Sequence, residues 1–305
     1  MVWFNYALMC AIFGTTFFAI KIGVEAGLPP FLSAGIRFVA AGALLFVWLW
    51  LRGKTNLSLL WRKEVLLIGA ASTFTTFSTL YWGEQHIESG MAAVLSATGP
   101  IFILLMQSLA MKQPTTRLDK IGCALGFTGV IVLMLPKLTG SSDSLWLMAC
   151  LVVLLGVIGY GSGSLLTRRM LLREPDLSPI ALNSAQMTAG GSGLLLISIL
   201  TESPSSASLE LLPAAGSLLY LIVVGSMLGH SLYAWLIKAT NAFFPSTWLY
   251  VSPIIALTLG AVMFQEQITF VSISGSLLVL AGIAAPRLKE LKSAVKKPAR
   301  TKRAA

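Results

Sequence analysis

The chain has 305 residues, of which 56% are hydrophobic and only 11% charged, and its mean hydropathy is +0.81. A water-soluble domain carries about a quarter charged residues, so this composition excludes a soluble enzyme and makes a bilayer the solvent. The net charge of +10 would suggest nucleic acid for a soluble chain, but eight of the 22 Lys and Arg stand in the tail after Pro286 and most others in short gaps between apolar runs, which excludes such a partner.

A helix crosses the roughly 30 Å hydrocarbon core in about 20 residues. Ten windows of that kind occur, at 3–22, 30–51, 65–83, 90–111, 121–138, 145–167, 179–200, 212–237, 244–264 and 271–285. The first has no Lys or Arg ahead of it and no small-residue cleavage site before Lys21, so it reads as a mature helix and not a secretory leader. It carries Phe13 and Phe17, rings able to stack on an apolar substrate, and ends at Lys21, read as an interfacial anchor.

The second window places Arg37 about seven residues past Pro30, roughly 10 Å into the membrane. A charge at that depth is rare and marks a functional site by default. The competing reading is that Arg37 snorkels outward or ties down backbone carbonyls. The third window is rich in hydroxyls, and Ser72, Thr76, Thr79, Gly83 and His86 recur at helical spacing on one stripe, with Tyr81 and Trp82 beside it. That stripe suits the wet wall of a translocation cavity, or hydroxyl packing between helices.

Pro100 in the fourth window and Pro253 in the ninth interrupt their helices, since proline removes a backbone hydrogen bond. Paired interruptions point to a midplane binding site; plain curvature is the alternative. Ser96 precedes Pro100 by about a turn, and Trp248 stands just ahead of Pro253. The fifth and tenth windows carry Gly122, Gly126, Gly129, Gly275 and Gly282, which mark close-packing surfaces between halves of the chain or between protomers of a homo-oligomer.

The sixth window holds Tyr160 within Gly159, Gly161 and Gly163. That cluster lacks a preceding strand and a Gly-Lys-Ser/Thr ending, so it does not read as a phosphate loop. The eighth window contains His230, the only deep histidine, read either as a ligand contact or proton carrier or as a satisfied core residue. Cys10, Cys123 and Cys150 lie in apolar runs without ligand spacing, so neither a disulfide framework nor a metal site is expected. HExxH, GxSxG and paired intramembrane carboxylates are absent, which argues against an enzyme. A non-transporting scaffold remains the main alternative to a transporter.

Nineteen of the 22 cations fall on one side when even-numbered gaps are placed together, against Lys21 and Lys137 on the other and Arg37 within a span. The positive-inside rule then puts both termini in the cytoplasm. The basic tail docks on anionic inner-leaflet lipid in this reading. Without a deep Asp or Glu, a facilitator or a weakly proton-linked exporter is expected, with Glu84, Glu88 and Glu266 near the outer face as the groups able to titrate.

The second half repeats the first. A step of 153 residues puts Trp82 on Trp235, Pro100 on Pro253, Gly122 on Gly275 and Gly129 on Gly282. A slightly different step puts Gly14 on Gly161, Lys21 on Arg168, Pro30 on Pro179 and Arg37 on Gln186. Five spans per copy is odd, so the copies enter the membrane with opposite orientation, as in transporters that alternate access. The expected organisation is an all-α integral membrane protein of ten transmembrane helices in two inverted five-helix repeats, 1–139 and 145–286, with a cytoplasmic tail at 287–305.

The run Phe13-Gly14-Thr15-Thr16-Phe17-Phe18-Ala19-Ile20-Lys21, then Pro29-Pro30, Ile36-Arg37-Phe38 and Ala92-Ala93 leading to Pro100, followed by Arg168-Arg169, Gln186 with Gly190-Gly191, and Ser252-Pro253 with Glu266, resembles the paired EamA domains of the drug/metabolite transporter superfamily. The resemblance implies a multi-pass protein of the bacterial inner or plasma membrane that exports amino acids or related small metabolites. It also implies a cavity lined by the first, third, fourth, sixth, eighth and ninth helices, and no soluble cofactor. One departure is Lys112-Gln113-Pro114, where the family often has Glu after the fourth helix. The residues expected to meet substrate are Phe13, Arg37, Thr76, Thr79, Tyr81, Ser96, Pro100, Tyr160, His230, Trp248 and Pro253.

Overall fold

The computed structural model describes residues 1–111, 117–139, 144–202, 209–263 and 269–284, with some side chains inside these ranges left out. Helices account for most of the described residues, with no strand among them. Five helical stretches are long and apolar enough to cross a bilayer: Val2–Glu25, Pro30–Leu51, Lys63–Gly83, Ser144–Arg173 and Leu211–Ala239.

Helix α1 (Val2–Glu25) ends where Gly27 turns to φ 84°, and the N–H groups of Gly27 and Leu28 return to the carbonyls of Val24 and Gly23. Only glycine enters that left-handed turn without steric cost. Pro30 then opens α2 (Pro30–Leu51), at a position where its missing N–H costs nothing. Glu202 completes that start, its carboxylate accepting from the backbone N–H groups of Phe31 at 2.7 Å and Leu32 at 2.9 Å.

After a short 3₁₀ turn (Leu57–Trp61), the third span is α3 (Lys63–Gly69), a widened π segment (Ala70–Thr75) and α4 (Thr76–Gly83). The wide turn leaves carbonyls that hydroxyls satisfy: Thr75 Oγ1 donates to Ala70 O at 2.9 Å and Thr76 Oγ1 to Ala71 O at 3.2 Å. The window read as one fourth helix is two, α5 (Ser89–Ser96) and α6 (Gly99–Met111), broken at Ala97 and Thr98. Next come α7 (Arg117–Thr139), α8 (Ser144–Arg173) and α9 (Pro179–Thr201). Helix α9 spans 23 residues, but polar Asn183, Ser184, Gln186 and Thr188 lie within it, and it is not among those five.

The eighth window is α10 (Leu211–Tyr220), a second π segment (Leu221–His230) and α11 (Ser231–Ala239). The ninth window is broken like the fourth, into α12 (Phe243–Ser246), a 3₁₀ turn (Thr247–Tyr250) and α13 (Ser252–Met263), with Pro253 second in α13. The chain closes with α14 (Phe270–Ala284). Prolines therefore do more than bend these windows: each stands second in a new helix, in the first turn, where its missing N–H leaves no helical hydrogen bond unmade.

Glycine seams hold the helices together. Helix α2 lies along α9, where a Cβ on Gly42 would stand 2.7 Å from both the Ser184 carbonyl and the Thr188 nitrogen. Helix α7 lies along α14, where a Cβ on Gly129 would stand 2.7 Å from the Val279 nitrogen. Gly159 meets the Ala71 carbonyl and Gly163 meets Ser72, so the glycine cluster of α8 is a seam for the third span. In lipid, where apolar burial drives no association, such backbone proximity supplies the contact energy. Outward, Leu44, Leu155, Ile199 and Leu219 stand exposed, as a lipid-facing surface requires.

Lys21 is corrected by this packing. Its ammonium turns inward and donates to the carbonyls of Glu84 at 3.0 Å and Ile87 at 3.5 Å, closing the C-terminal end of α4, instead of anchoring in headgroups. Arg168 does the same for α11, donating to Ile237 O at 2.8 Å and Lys238 O at 3.1 Å. Both place a cation at the negative end of a helix. Glu84 is fully buried, and Glu266 lies outside the described residues.

Candidate functional site

Residues at steps of three and four turn one face of α1 inward, so Phe13, Thr16, Phe17 and Ile20 form one wall of an internal cavity. The cavity measures about 90 Å³ as space open to the centre of a water molecule, enough for on the order of six waters. Opposite α1 stand Val153, Val157, Tyr160 and Ser164 of α8, while α9 contributes Leu182, Asn183 and Gln186. Ser72, Thr76 and Phe77 come from the third span, His230 and Tyr233 from the eighth, and Ser96, Trp248 and Leu249 from the segments just before the two helix-opening prolines. Helices α2 and α9, from the second and seventh windows, thus join the six expected to line it.

One wall is aromatic. Phe13 packs on Trp248 with ring centroids 4.7 Å apart and on His230 at 5.0 Å. The Trp248 indole N–H donates to the Tyr160 hydroxyl at 3.2 Å, and the Tyr233 hydroxyl pairs with Ser164 Oγ at 2.9 Å. These bonds fix the rings, since an aromatic with a polar tip needs a partner when buried.

The other wall is built on Arg37, which is 1% exposed. Its Nε donates to Ser226 Oγ at 2.8 Å and its Nη1 to the Tyr81 hydroxyl at 3.2 Å. The guanidinium lies 4.6 Å from the centre of the Phe38 ring and 5.2 Å from that of Phe77. The wide π turn admits it: a Cβ on Gly225 would sit 3.2 Å from Nη2. No carboxylate pairs with Arg37 among the described residues. His230 packs on the same two rings, 5.6 Å from Phe38 and 5.7 Å from Phe77, and its Nε2 is buried without a partner among the described residues.

Gln186 makes a matching link. Its Oε1 accepts from Ser72 Oγ at 2.9 Å and Thr73 Oγ1 at 2.7 Å, and its Nε2 donates to Asn183 Oδ1 at 3.1 Å. Thr73 and Ser226 are 153 residues apart, the step that aligns Pro100 with Pro253. Arg37 and Gln186, aligned in the sequence, therefore reach aligned positions in the two π segments.

Of the residues expected to meet substrate, Phe13, Arg37, Thr76, Ser96, Tyr160, His230 and Trp248 line the cavity. Tyr81 stands behind Arg37 as its hydrogen-bond partner. Thr79 packs against Gly156, its hydroxyl donating to the carbonyls of Thr75 and Thr76. Pro100 is buried at the start of α6, where it shapes the break. Pro253 opens α13, and its side chain lies outside the described ones. Sequence reading missed Thr16, Phe77, Asn183, Gln186 and Tyr233 as lining residues. Spacing could have found two of these groups: Thr16 shares a face with Phe13 and Ile20, and Asn183 with Gln186 makes a polar turn inside an apolar window.

Outside the spans, Arg62 holds Glu174 with both carboxylate oxygens, one of them at 2.8 Å from Nη1. This pair joins the loop after α2 to the end of α8, and the Arg62 hydrogen bonds pull the Glu174 carboxyl below its ordinary value. No cluster of His, Cys, Asp and Glu fit for a metal ion occurs among the described residues.

The profile of the EamA-like transporter family matches this chain twice, over residues 2–135 and 147–285. The chain is 31% identical over 262 residues to the "Uncharacterized inner membrane transporter YedA" of Escherichia coli (strain K12), covering 85% of this chain and 81% of that protein. It is 25% identical over 283 residues to a Salmonella typhimurium (strain LT2) protein named "Probable amino-acid metabolite efflux pump", covering 90% and 91%. A solved crystal structure superimposes with a TM-score of 0.68 at 16% identity, over 94% of this chain and 98% of the other, which is a likeness of fold.

Proposed function

The chain belongs to the EamA-like transporter family and is a multi-pass membrane protein, and from that premise we propose that it is an alternating-access secondary transporter exporting small metabolites such as amino acids. Its ten spans form two inverted five-helix units, 1–139 and 145–286, with both termini and the basic tail 287–305 in the cytoplasm. The observation carrying this reading is a cavity whose walls come from both halves, bridged by Arg37 to Ser226 and by Gln186 to Thr73. Two aligned links across one cavity suit a pair of packings that exchange places as the site opens to opposite sides. The Lys21 and Arg168 closures of α4 and α11, and the breaks before Pro100 and Pro253, obey the same pairing. The name of the Salmonella relative supports the metabolite class and the outward direction.

The test is efflux from proteoliposomes loaded with a panel of amino acids and related small metabolites. Saturable efflux above protein-free vesicles is expected, and Ser96→Trp, which fills the cavity beside Trp248, should abolish it without lowering the melting temperature. Flux indistinguishable from empty vesicles across the panel, or undiminished by Ser96→Trp, would overturn the reading. With no acidic residue among those described as lining the cavity, transport of a neutral substrate should follow its own gradient more closely than an imposed pH gradient.

A further inference from the structure

We propose that, among the small metabolites of the transport reading, the cavity selects by charge: it binds organic anions, whose carboxylate docks on Arg37 and whose apolar or aromatic body lies against Phe13 and Trp248, more tightly than zwitterionic amino acids, and it excludes cations. The proposal rests on the transport reading for its purpose but not for its test.

A merely structural Arg37 would be a strut between α2 and the second π segment. The aligned residue Gln186 already performs that task between α9 and the first π segment without any charge. The charge at Arg37 is therefore surplus to the link. It is also costly, because a buried cation loses its hydration, and among the described residues no carboxylate forms an ion pair with Arg37. Of five guanidinium N–H donors, one on Nε and one on Nη1 are engaged by Ser226 and Tyr81, and Nη2 lies over Gly225, where no side chain stands. A planar carboxylate matches the geometry of a guanidinium fork, and charge-assisted bonds of this kind are the strong ones.

The remaining polar groups agree on the sign. The described lining includes Arg37 and His230 but no Asp or Glu, so an ammonium brought into the cavity meets hydroxyls and amides and no anion. His230 Nε2, buried and unpartnered on the same two rings as Arg37, is a second group able to donate to a carboxylate in one imidazole tautomer. Around this pole the surface is aromatic and aliphatic, which fits the body of the ligand and excludes water from the pair.

The experiment uses the purified full-length protein and three ligands of one shape: phenylpyruvate, phenylalanine and phenethylamine, which are an anion, a zwitterion and a cation. Binding is read from thermal stabilisation and from Trp fluorescence. Phenylpyruvate should bind about tenfold or more tighter than phenylalanine, and phenethylamine should give no shift. Arg37→Gln, which installs the side chain already present at the aligned position, should weaken phenylpyruvate about tenfold or more while the protein still melts cooperatively. Asn183→Asp, which adds an acid to the lining, should raise phenylalanine relative to phenylpyruvate.

Phenylpyruvate giving no shift, phenylalanine or phenethylamine matching it, or Arg37→Gln leaving its affinity intact would overturn the proposal. If Arg37→Gln fails to fold, the wild-type ranking and Asn183→Asp decide. Anion-selective binding without flux in proteoliposomes would sink transport and leave this inference standing. Flux blind to charge would do the reverse.

Discussion

Arg37 and Gln186 make the same connection at two places with different chemistry. Each leaves one long helix, α2 or α9, and reaches a hydroxyl in the π segment of the other half, Ser226 or Thr73. The surroundings have adjusted to side-chain size. Opposite the larger arginine stands Gly225, which leaves room for Nη2; opposite the smaller glutamine stands Ser72, aligned with Gly225 by the 153-residue step, and its hydroxyl adds a second bond. What differs is charge, so the pair separates what the architecture needs, a polar bridge at each π turn, from what one site alone has acquired.

The strongest way to break this comparison is to make both sites cationic. Gln186→Arg would set a second unpaired charge in the same low-dielectric space, and a loss of about 3 kcal/mol or more is expected, read by chemical or thermal unfolding in detergent. Arg37→Leu comes next: it strands the buried hydroxyls of Ser226 and Tyr81, and should cost about 2–3 kcal/mol, whereas Arg37→Gln should keep most of that stability. Equal losses for Leu and Gln would mean the bridge itself is dispensable. Gln186→Ala removes the shared acceptor of Ser72 and Thr73. Because Ser72 Oγ retains its bond to the Ile68 carbonyl at 2.6 Å, the expected cost is smaller, about 1–2 kcal/mol.

The paired helix closures sharpen the comparison with smaller effects. Lys21→Met and Arg168→Met each remove a cation from the helix-end carbonyls it caps, and each should lower stability by about 1 kcal/mol. Similar losses support equivalent roles; a loss at one only would show that the halves carry load unequally. Smallest is the Arg62–Glu174 pair, more than a third exposed on each side chain and worth at most about 1 kcal/mol. Because the folded Glu174 carboxyl is lowered from 4.5, its stabilisation is present above the ordinary carboxylate range and lost as pH falls through the lowered folded value. The melting difference between wild type and Glu174→Gln should thus shrink on acidification.

Much of the fold was legible in the residues. Apolar windows of bilayer length are imposed by hydrocarbon thickness, which is why helix positions could be read without knowing contacts. The helix-opening role of Pro100 and Pro253 was legible in kind, since proline acts on its own backbone, though not in degree: bending and breaking differ by what the neighbouring helices allow. The hydroxyl stripe of the third span divided in two. Ser72 and Thr76 face the cavity, while Thr79 and Gly83 press on α8 at Gly156 and Val153. No periodicity separates those fates, because both lie on one helical face and only the neighbour's position decides.

Composition and local chemistry by themselves determined that the chain is helical, lies in a membrane, repeats itself and carries one deep cation. These follow from transfer energies and backbone sterics, which act residue by residue. Only the tertiary structure decided that Lys21 caps a helix instead of meeting lipid, that Gln186 is the partner of a π turn, and that Arg37 stands in a wall without an acid. Each of those depends on a residue more than 60 positions away. Such pairings arise from helix packing geometry, and packing is set by the whole set of glycine seams acting together.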